Sequence, residues 1–165
     1  MKRLTLLFVV ILTIFCSCST KQYLLKSTDQ DLSQIKRILI VNNDFSNIIP
    51  VGIYPSYENI DDFVTKKDSA ISDIPELVCV ELLKRQINCE IAYEHSEINN
   101  ETYYIEYQDY WAWDFKKYMH VLKMKLYKNG IEIKTVASQG NGAGMHDYPT
   151  PEKQIPLLID LLLKK

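Results

Sequence analysis

Two cysteines one residue apart, Cys16 and Cys18, are the residues of this 165-residue chain whose spacing most directly suggests chemistry. A C-x-C pair can bind zinc, but a zinc site needs about four ligands. No further cysteine or histidine follows until Cys79. A disulfide between cysteines so close in sequence is sterically poor. The pair is therefore better explained as part of a processing signal than as a metal site or a disulfide.

The residues before this pair have the composition of a bacterial lipoprotein signal. Two basic residues stand near the start, and the apolar segment 4–15 is too short to span a bilayer, which needs roughly 20 apolar residues. Ser17 is the small residue expected before the cleavage site, whereas bulky Phe15 would precede a cut at Cys16. We predict cleavage before Cys18 and acylation of its thiol, which would anchor the protein in the lipid bilayer; an uncleaved signal anchor is the alternative.

The residues after the predicted cleavage site indicate a location. Ser19, rather than an aspartate, follows Cys18, and in the usual sorting of lipoproteins this favours the outer membrane. No acidic cluster resembling a surface-export signal follows, so we expect the protein to face the periplasm. Cleavage would remove two of the 19 basic residues and leave 17 against 21 acidic ones, a net charge of −4. This mildly acidic body offers no electrostatic basis for binding nucleic acid.

Two further thiols, Cys79 and Cys89, belong to the body of the protein. The gap between them crosses a predicted helix end, so a bond between them would require a tight reversal of the chain. We predict that both cysteines stay free and at least partly buried.

Asp114, His120 and His146 are residue types that could form a metal site or an acid–base set. Their spacing lacks the short-range pairs typical of metal ligands, and no serine stands in a G-x-S-x-G context. His120 shares the inward parity of Leu122, which favours a buried structural histidine. We predict no catalytic residue, no metal and no cofactor; the rival hypothesis is a hydrolase that uses Asp114 with His120 or His146.

The stretch QGNGAGMHDYP at 139–149 contains three glycines at alternate positions. It lacks the terminal Gly-Lys-Ser/Thr of a phosphate-binding loop and the spacing of a dinucleotide fingerprint. Close approach of the backbone, or a bulge between strand and helix, is the favoured interpretation. An anion-binding nest is the alternative.

Aromatic residues are concentrated in the segment YYIEYQDYWAWDFKKYMH at 103–120. Read as a strand, it places both tryptophans on one face and alternate tyrosines on the other. Two interpretations stay open. The segment is either a core strand with its hairpin corner, or an exposed patch for a sugar, a peptide or a partner protein. As a binding surface, the patch would comprise Tyr104, Tyr110, Trp111, Trp113, Asp114 and Tyr118.

The elements that position these residues follow from periodicity and from capping and turn signals. Their order, β-α-β-β-β-β-α, predicts an α+β fold: a mostly antiparallel sheet of about five strands with two helices packed on one face. We predict a signal peptide over 1–17, a tether over 18–33 and a single domain over 34–165. The predicted elements are strands at 35–42, 89–93, 101–113 and 115–127 with a partner after Gly130, helices after Asp73 and Thr150, and a long loop at 44–71.

The turn at Asn129-Gly130 is the clearest local signal. This dipeptide favours a two-residue type I′ hairpin turn. Pairing about it places the apolar residues on one face and the charged ones on the other, which predicts a half-buried antiparallel hairpin. The predicted pairs are Lys128 with Ile131, Leu126 with Ile133, Met124 with Thr135 and Leu122 with Ala137.

The segments YQDYWAWDFKKYMHVLKMKLYKNGIEI and GNGAGMHDY, followed by an apolar helix that ends in lysine, resemble the Sbal-type family of bacterial lipoproteins. The marks of the resemblance are the W-x-W-D segment Trp111–Asp114, Tyr118 and the glycine-rich stretch before the last helix; it covers about 101–165 well. The resemblance implies a periplasm-facing lipoprotein of α+β type and brings no substrate or catalytic residue. We expect a non-catalytic interaction or envelope-assembly module with an envelope protein as partner. Binding of a sugar or lipid is the alternative.

Overall fold

The computed structural model describes residues 20–50, 52–93, 98, 102–114, 116–140 and 149–164, without the side chains of 114 and 116. Within these ranges, eight strands form one mixed sheet, and two α-helices and a short 3-10 helix, Ile60–Phe63, accompany it. The strands are β1 Lys21–Ser27, β2 Arg37–Val41, β3 Phe45–Ile48, β4 Lys66–Ser69, β5 Asn88–Ala92, β6 Tyr103–Asp114, β7 Lys116–Lys128 and β8 Ile131–Gln139, and the helices are α1 Ile74–Lys84 and α2 Pro151–Leu163.

The strand order is β1-β8-β7-β6-β2-β5. Strands β2 and β3 follow one another along the same edge of the long strand β6, both parallel to it, and β4 pairs antiparallel with β3. The predicted sheet of about five mostly antiparallel strands is therefore wrong, although the α+β class holds. The helix between β2 and β5 acts as a crossover and makes these two strands parallel neighbours. The additional strands arise in segments predicted to be irregular: β1 in 18–33, and β3 with β4 in 44–71.

Both helices pack on one face of the sheet and bury its main core. Helix α2 contributes an apolar stripe of Ile155, Leu158, Ile159 and Leu162, all fully buried. On the opposite face, the connection between β3 and β4 covers one end of the sheet with a second, smaller cluster. The rest of that face has no helix over it within the described ranges.

The β7–β8 hairpin confirms the predicted turn, since Asn129 and Gly130 have φ values of 54° and 73°. Lys128 pairs with Ile131 as predicted, but a bulge after Leu126 shifts the pairs beyond it. The predicted register is therefore wrong there: Leu126, Met124 and Leu122 lie opposite Lys134, Val136 and Ser138. Ile133 and Val136 both enter the helix-covered core. Residues three positions apart point to opposite faces of a regular strand, and the bulge is what allows these two to share one face.

Cys79 and Cys89 form a disulfide, with their Cα atoms 5.1 Å apart, so the prediction of two free thiols is wrong. The chain reverses within three residues after α1. Gln86 adopts a left-handed φ of 62°, and the N–H of Ile87 donates to the carbonyl of Leu82 at 3.0 Å. This reversal brings β5 back beside α1 and places the two cysteines within bonding distance.

Both helices begin where the sequence predicts, after Asp73 and Thr150, each with a proline in its first turn. Neither Asp73 nor Thr150 makes the side-chain hydrogen bond of an N-cap. Ahead of α2, a Cβ on Gly140 would lie 2.3 Å from Cγ of Pro149. The predicted close approach is therefore confirmed at this glycine; residues 141–148 lie outside the described ranges.

Candidate functional site

The structure buries most of the aromatic residues predicted as a binding surface. Tyr104, Tyr110, Trp111 and Tyr118 are between 0% and 8% exposed. Trp113 is 52% exposed. The side chain of Asp114 lies outside the described part of the chain. The six residues therefore do not share one surface within the described part of the chain. The four buried ones pack in three separate clusters on the two faces of the sheet.

His120, the other member of the predicted acid–base set, is 1% exposed. Its Nε2 lies 3.0 Å from the carbonyl oxygen of Pro55, and its Nδ1 has no hydrogen-bond partner among the described residues. Burial lowers the pKa of this imidazole, which favours the neutral ring. The side chain of Asp114 and the whole of His146 lie outside the described residues, so His120 is the one member of this set whose side chain the structure describes.

A buried carboxyl group that the sequence analysis did not single out lies on β6. Asp109 is 2% exposed, and its Oδ2 accepts hydrogen bonds from the Ser46 hydroxyl and, at 2.7 Å, from Nε1 of Trp111. The Ser46 oxygen in turn accepts the N–H of Ile71 at 3.2 Å. Burial raises the pKa of Asp109 despite these bonds. Asp109 lies two residues from both Tyr107 and Trp111, and alternation along a strand therefore places its side chain on the same, core-facing side.

The raised pKa of Asp109 predicts a pH dependence of stability. The folded state favours the neutral acid, so this group's contribution is fully present below the ordinary pKa of 3.8 and is lost as the pH rises through the higher folded pKa. As the pH rises through this window, Asp109→Asn should become more stable than wild type, because an amide cannot ionise. The gain in free energy of unfolding should be about 1.4 kcal/mol for each unit by which burial raises the pKa of Asp109. Urea unfolding at a series of pH values measures it.

The control for this experiment is Asp62→Asn, which changes an exposed carboxyl group on the short 3-10 helix. This variant should follow the wild-type curve. Parallel curves for Asp109→Asn and wild type at every pH would show that burial does not perturb Asp109.

A concave polar surface lies on the sheet face opposite the helices. Alternation along β6 and β7 sends Tyr107 and Met124 into the helix-covered core, while their neighbours point the other way. The β3–β4 hairpin stands beside this open face and encloses a volume of about 270 Å³. We call this surface the sheet-face groove; the polar residues of its floor are Glu106, Gln108, Lys123 and Lys125, and its wall includes Phe45, Asn47 and Lys67.

Two lysines of the floor are already paired. The Nζ of Lys123 lies 3.2 Å from a carboxylate oxygen of Asp61 and 5.2 Å from the ring centre of Tyr110. The Nζ of Lys125 lies 3.9 Å from a carboxylate oxygen of Glu132 on β8. These contacts hold both ammonium groups at defined places along the groove.

The wall of the groove is held by hydrogen bonds to β6. The Asn47 amide donates to the carbonyl of Asp109 at 3.2 Å, and the Asn43 amide donates to the carbonyl of Tyr107. Phe45 is 57% exposed at the groove. Lys67 lies opposite Asn47 in the β3–β4 pairing and has no ion pair within the described ranges. The wall thus offers ordered amides, an apolar ring and one unpaired ammonium group.

The sheet-face groove has a mostly polar lining. It is lined by lysines, amides and two carboxylates, and both His120 and Asp109 lie outside the lining.

Among the described residues, no group of three or more His, Cys, Asp or Glu side chains could hold a metal ion. No helix in the described part of the chain is long and apolar enough to cross a membrane.

Fold and site together define an α+β domain with a polar groove on its open sheet face. No family model matches the chain, so its resemblance to the Sbal-type family stays a prediction, and no curated protein matches it either. Among solved structures it is similar to the PelC dodecamer from Paraburkholderia phytofirmans, at 9% identity and a TM-score of 0.48, covering 87% of this chain and 98% of PelC. A substituted form of that dodecamer gives 12% identity, a TM-score of 0.44 and coverages of 88% and 96%. Such weak likeness indicates no activity or partner for this chain.

Proposed function

We propose that this chain is a lipid-anchored, non-catalytic binding module of the bacterial cell envelope and that the sheet-face groove is its working surface. The observation that carries the proposal is the groove itself. The helices seal one face of the sheet, whereas the β3–β4 hairpin turns part of the other face into a concave surface lined by polar side chains. Concave surfaces with convergent polar groups are the usual sites of ligand binding.

The anchor is proposed from the amino-terminal sequence. The basic start, the short apolar segment and Ser17 support acylation of Cys18. Ser19, with no acidic cluster after it, supports a place in the outer membrane facing the periplasm. Strand β1 begins at Lys21, three residues after this cysteine, so the sheet would stand close to the bilayer. The Cys79–Cys89 disulfide is compatible with an oxidising compartment such as the periplasm.

The non-catalytic character is proposed from the positions of the titratable groups. His120 is buried and bonded to the Pro55 carbonyl, and Asp109 is buried and bonded to Ser46 and Trp111. A general base must reach the proton that it removes. Neither side chain lines the groove, so neither could act on a ligand bound there.

A photo-crosslinking amino acid at Gln108 in the full-length protein tests the working surface. Gln108 is exposed on the groove floor, and the probe should give a discrete adduct with one envelope component in intact cells. The matched probe is placed at Leu83, which is 55% exposed on α1, the helix on the opposite side of the sheet. Equal adducts from both positions, or no discrete adduct from Gln108, would contradict the proposal.

A further inference from the structure

We infer that the sheet-face groove binds an uncharged, hydroxyl-rich saccharide. This inference rests on the proposed function, because it takes the groove to be the working surface and names the class of its ligand. Three properties of the groove support it: the mixture of hydrogen-bond donors and acceptors, the balance of charge, and an exposed aromatic ring beside ordered amides.

The groove contains both hydrogen-bond donors and acceptors. Its lysines donate and the carboxyl oxygens of Asp44 and Glu106 accept, whereas the amides of Asn43, Asn47 and Gln108 can do both. A hydroxyl group also donates and accepts. A ligand that carries several hydroxyl groups could therefore satisfy neighbouring lysines, amides and carboxylates at once, which neither a pure donor nor a pure acceptor could do.

The charges of the groove disfavour an ionic ligand. An anion attracted by Lys67 would meet Asp44 and Glu106 in the same groove, and a cation would meet three lysines. Lys123 and Lys125 are in addition paired with carboxylates outside the lining, at 3.2 and 3.9 Å. An uncharged polar ligand avoids both conflicts.

Phe45 supplies the apolar contact that a sugar ring can use. Its ring is 57% exposed at the groove, next to polar side chains on β3 and β6. One face of a sugar ring presents mainly C–H groups, and its contact with an aromatic ring removes apolar surface of both from water. The volume of about 270 Å³ lies just below the usual range of small-molecule sites, which suits one or two sugar units better than a large ligand.

The groove is ordered before any ligand arrives. The amides of Asn43 and Asn47 are held by carbonyls of β6, and Lys123 is held between Asp61 and the ring of Tyr110. Side chains that are already ordered lose less conformational entropy on binding. The groove therefore needs little rearrangement to present its polar groups to a ligand.

Isothermal titration calorimetry with the full-length protein tests the inference. The detergent should be a polyoxyethylene ether, because maltoside headgroups are themselves sugars. The probes are uncharged oligosaccharides of hexoses and of N-acetylhexosamines, with oligogalacturonate and inorganic phosphate as anionic probes. We expect at least one uncharged oligosaccharide to bind, with an affinity that changes little when ionic strength rises, since no ion pair is formed.

Variants of the groove locate the binding. Phe45→Ala and Gln108→Ala should each weaken saccharide binding by about tenfold, which corresponds to one lost contact of ordinary strength. Leu83→Ala removes a side chain of similar exposure, 55%, from the opposite side of the sheet and should leave binding unchanged. Circular dichroism of each variant shows whether it is folded.

Three outcomes would overturn the inference. The first is salt-sensitive binding of phosphate or oligogalacturonate alone that Lys67→Gln abolishes, because it would indicate an anion site. The second is saccharide binding that survives both groove substitutions in folded protein. The third is no binding of any uncharged probe. A discrete protein adduct from the Gln108 crosslinker would then preserve the proposed function with a protein partner, whereas no adduct would contradict both.

Discussion

Cys18→Ala is expected to abolish the mature, acylated form of the protein. In the proposed lipoprotein, Cys18 would supply the thiol that accepts the lipid, and cleavage of a lipoprotein signal depends on that cysteine. The variant should accumulate as a precursor that retains residues 1–17 and carries no acyl group. Mass spectrometry of the amino-terminal peptide measures both properties. The wild-type peptide should begin at Cys18 and carry the added mass of its lipid.

Cys16→Ala is the matched control, since it changes the neighbouring cysteine within the same segment. Its mature amino-terminal peptide should be identical to that of wild type, because residue 16 is discarded with the signal. A Cys18→Ala protein that is still cleaved and still anchored in the membrane would show that the lipoprotein signal was misidentified.

Removal of the Cys79–Cys89 disulfide has the second large expected effect, this one on stability. The bond joins residues that are 10 positions apart and ties α1 to β5. Because it restricts the unfolded chain, its loss should lower the free energy of unfolding by about 2–4 kcal/mol, towards the lower figure for so short a loop. Urea denaturation of the Cys79→Ala/Cys89→Ala variant against oxidised wild type measures this difference.

Two controls accompany this experiment. Val80→Ala changes an exposed residue, 49% accessible, on the same helix and should cost much less. Each single cysteine variant should be destabilised about as much as the double variant, since either substitution removes the same bond. A wild-type midpoint that does not move when reductant is added would contradict the prediction.

Local signals were sufficient for five of the eight strands and for both helices. The strands β2, β5, β6, β7 and β8, the I′ turn and both helices lie close to their predicted positions, because apolar periodicity and turn residues are properties of adjacent amino acids. The missed strands lack such signals. Six of the seven residues of β1 are exposed, and β4 is the polar tetrapeptide KKDS. These strands form because β8 and β3 present unpaired backbone edges to them.

Register and cross-linking depend on contacts that local periodicity does not reveal. The bulge after Leu126 lets Ile133 and Val136 reach the same core, on the face of the hairpin that α2 covers, and the turn residues alone do not specify it. The cysteines pair because Gln86 turns the chain back within three residues of the helix end. Both features arise when elements that form separately are brought into contact.

The groove could not be recognised from the sequence, although every residue in it could be read there. On β6 and β7, Glu106, Gln108, Lys123 and Lys125 have the alternation of an ordinary solvated sheet face. Aromatic content instead drew attention to neighbours that the structure buries, such as Tyr110 and Trp111. The carboxyl group of Asp109, which faces the core, lies beside these aromatic residues in the sequence and was not singled out.

The sequence by itself determined the α+β class, the hairpin turn and the apolar stripe of α2, because each depends on residues close together in the chain, and it alone predicts the amino-terminal signal. Only the tertiary structure decided which polar side chains share a concave surface. The β3–β4 hairpin lies along β6, parallel pairing at Asn47 and Ile48 holds it there, and the flat sheet face becomes a groove. Long-range backbone pairing sets that arrangement, and it has no counterpart in local periodicity.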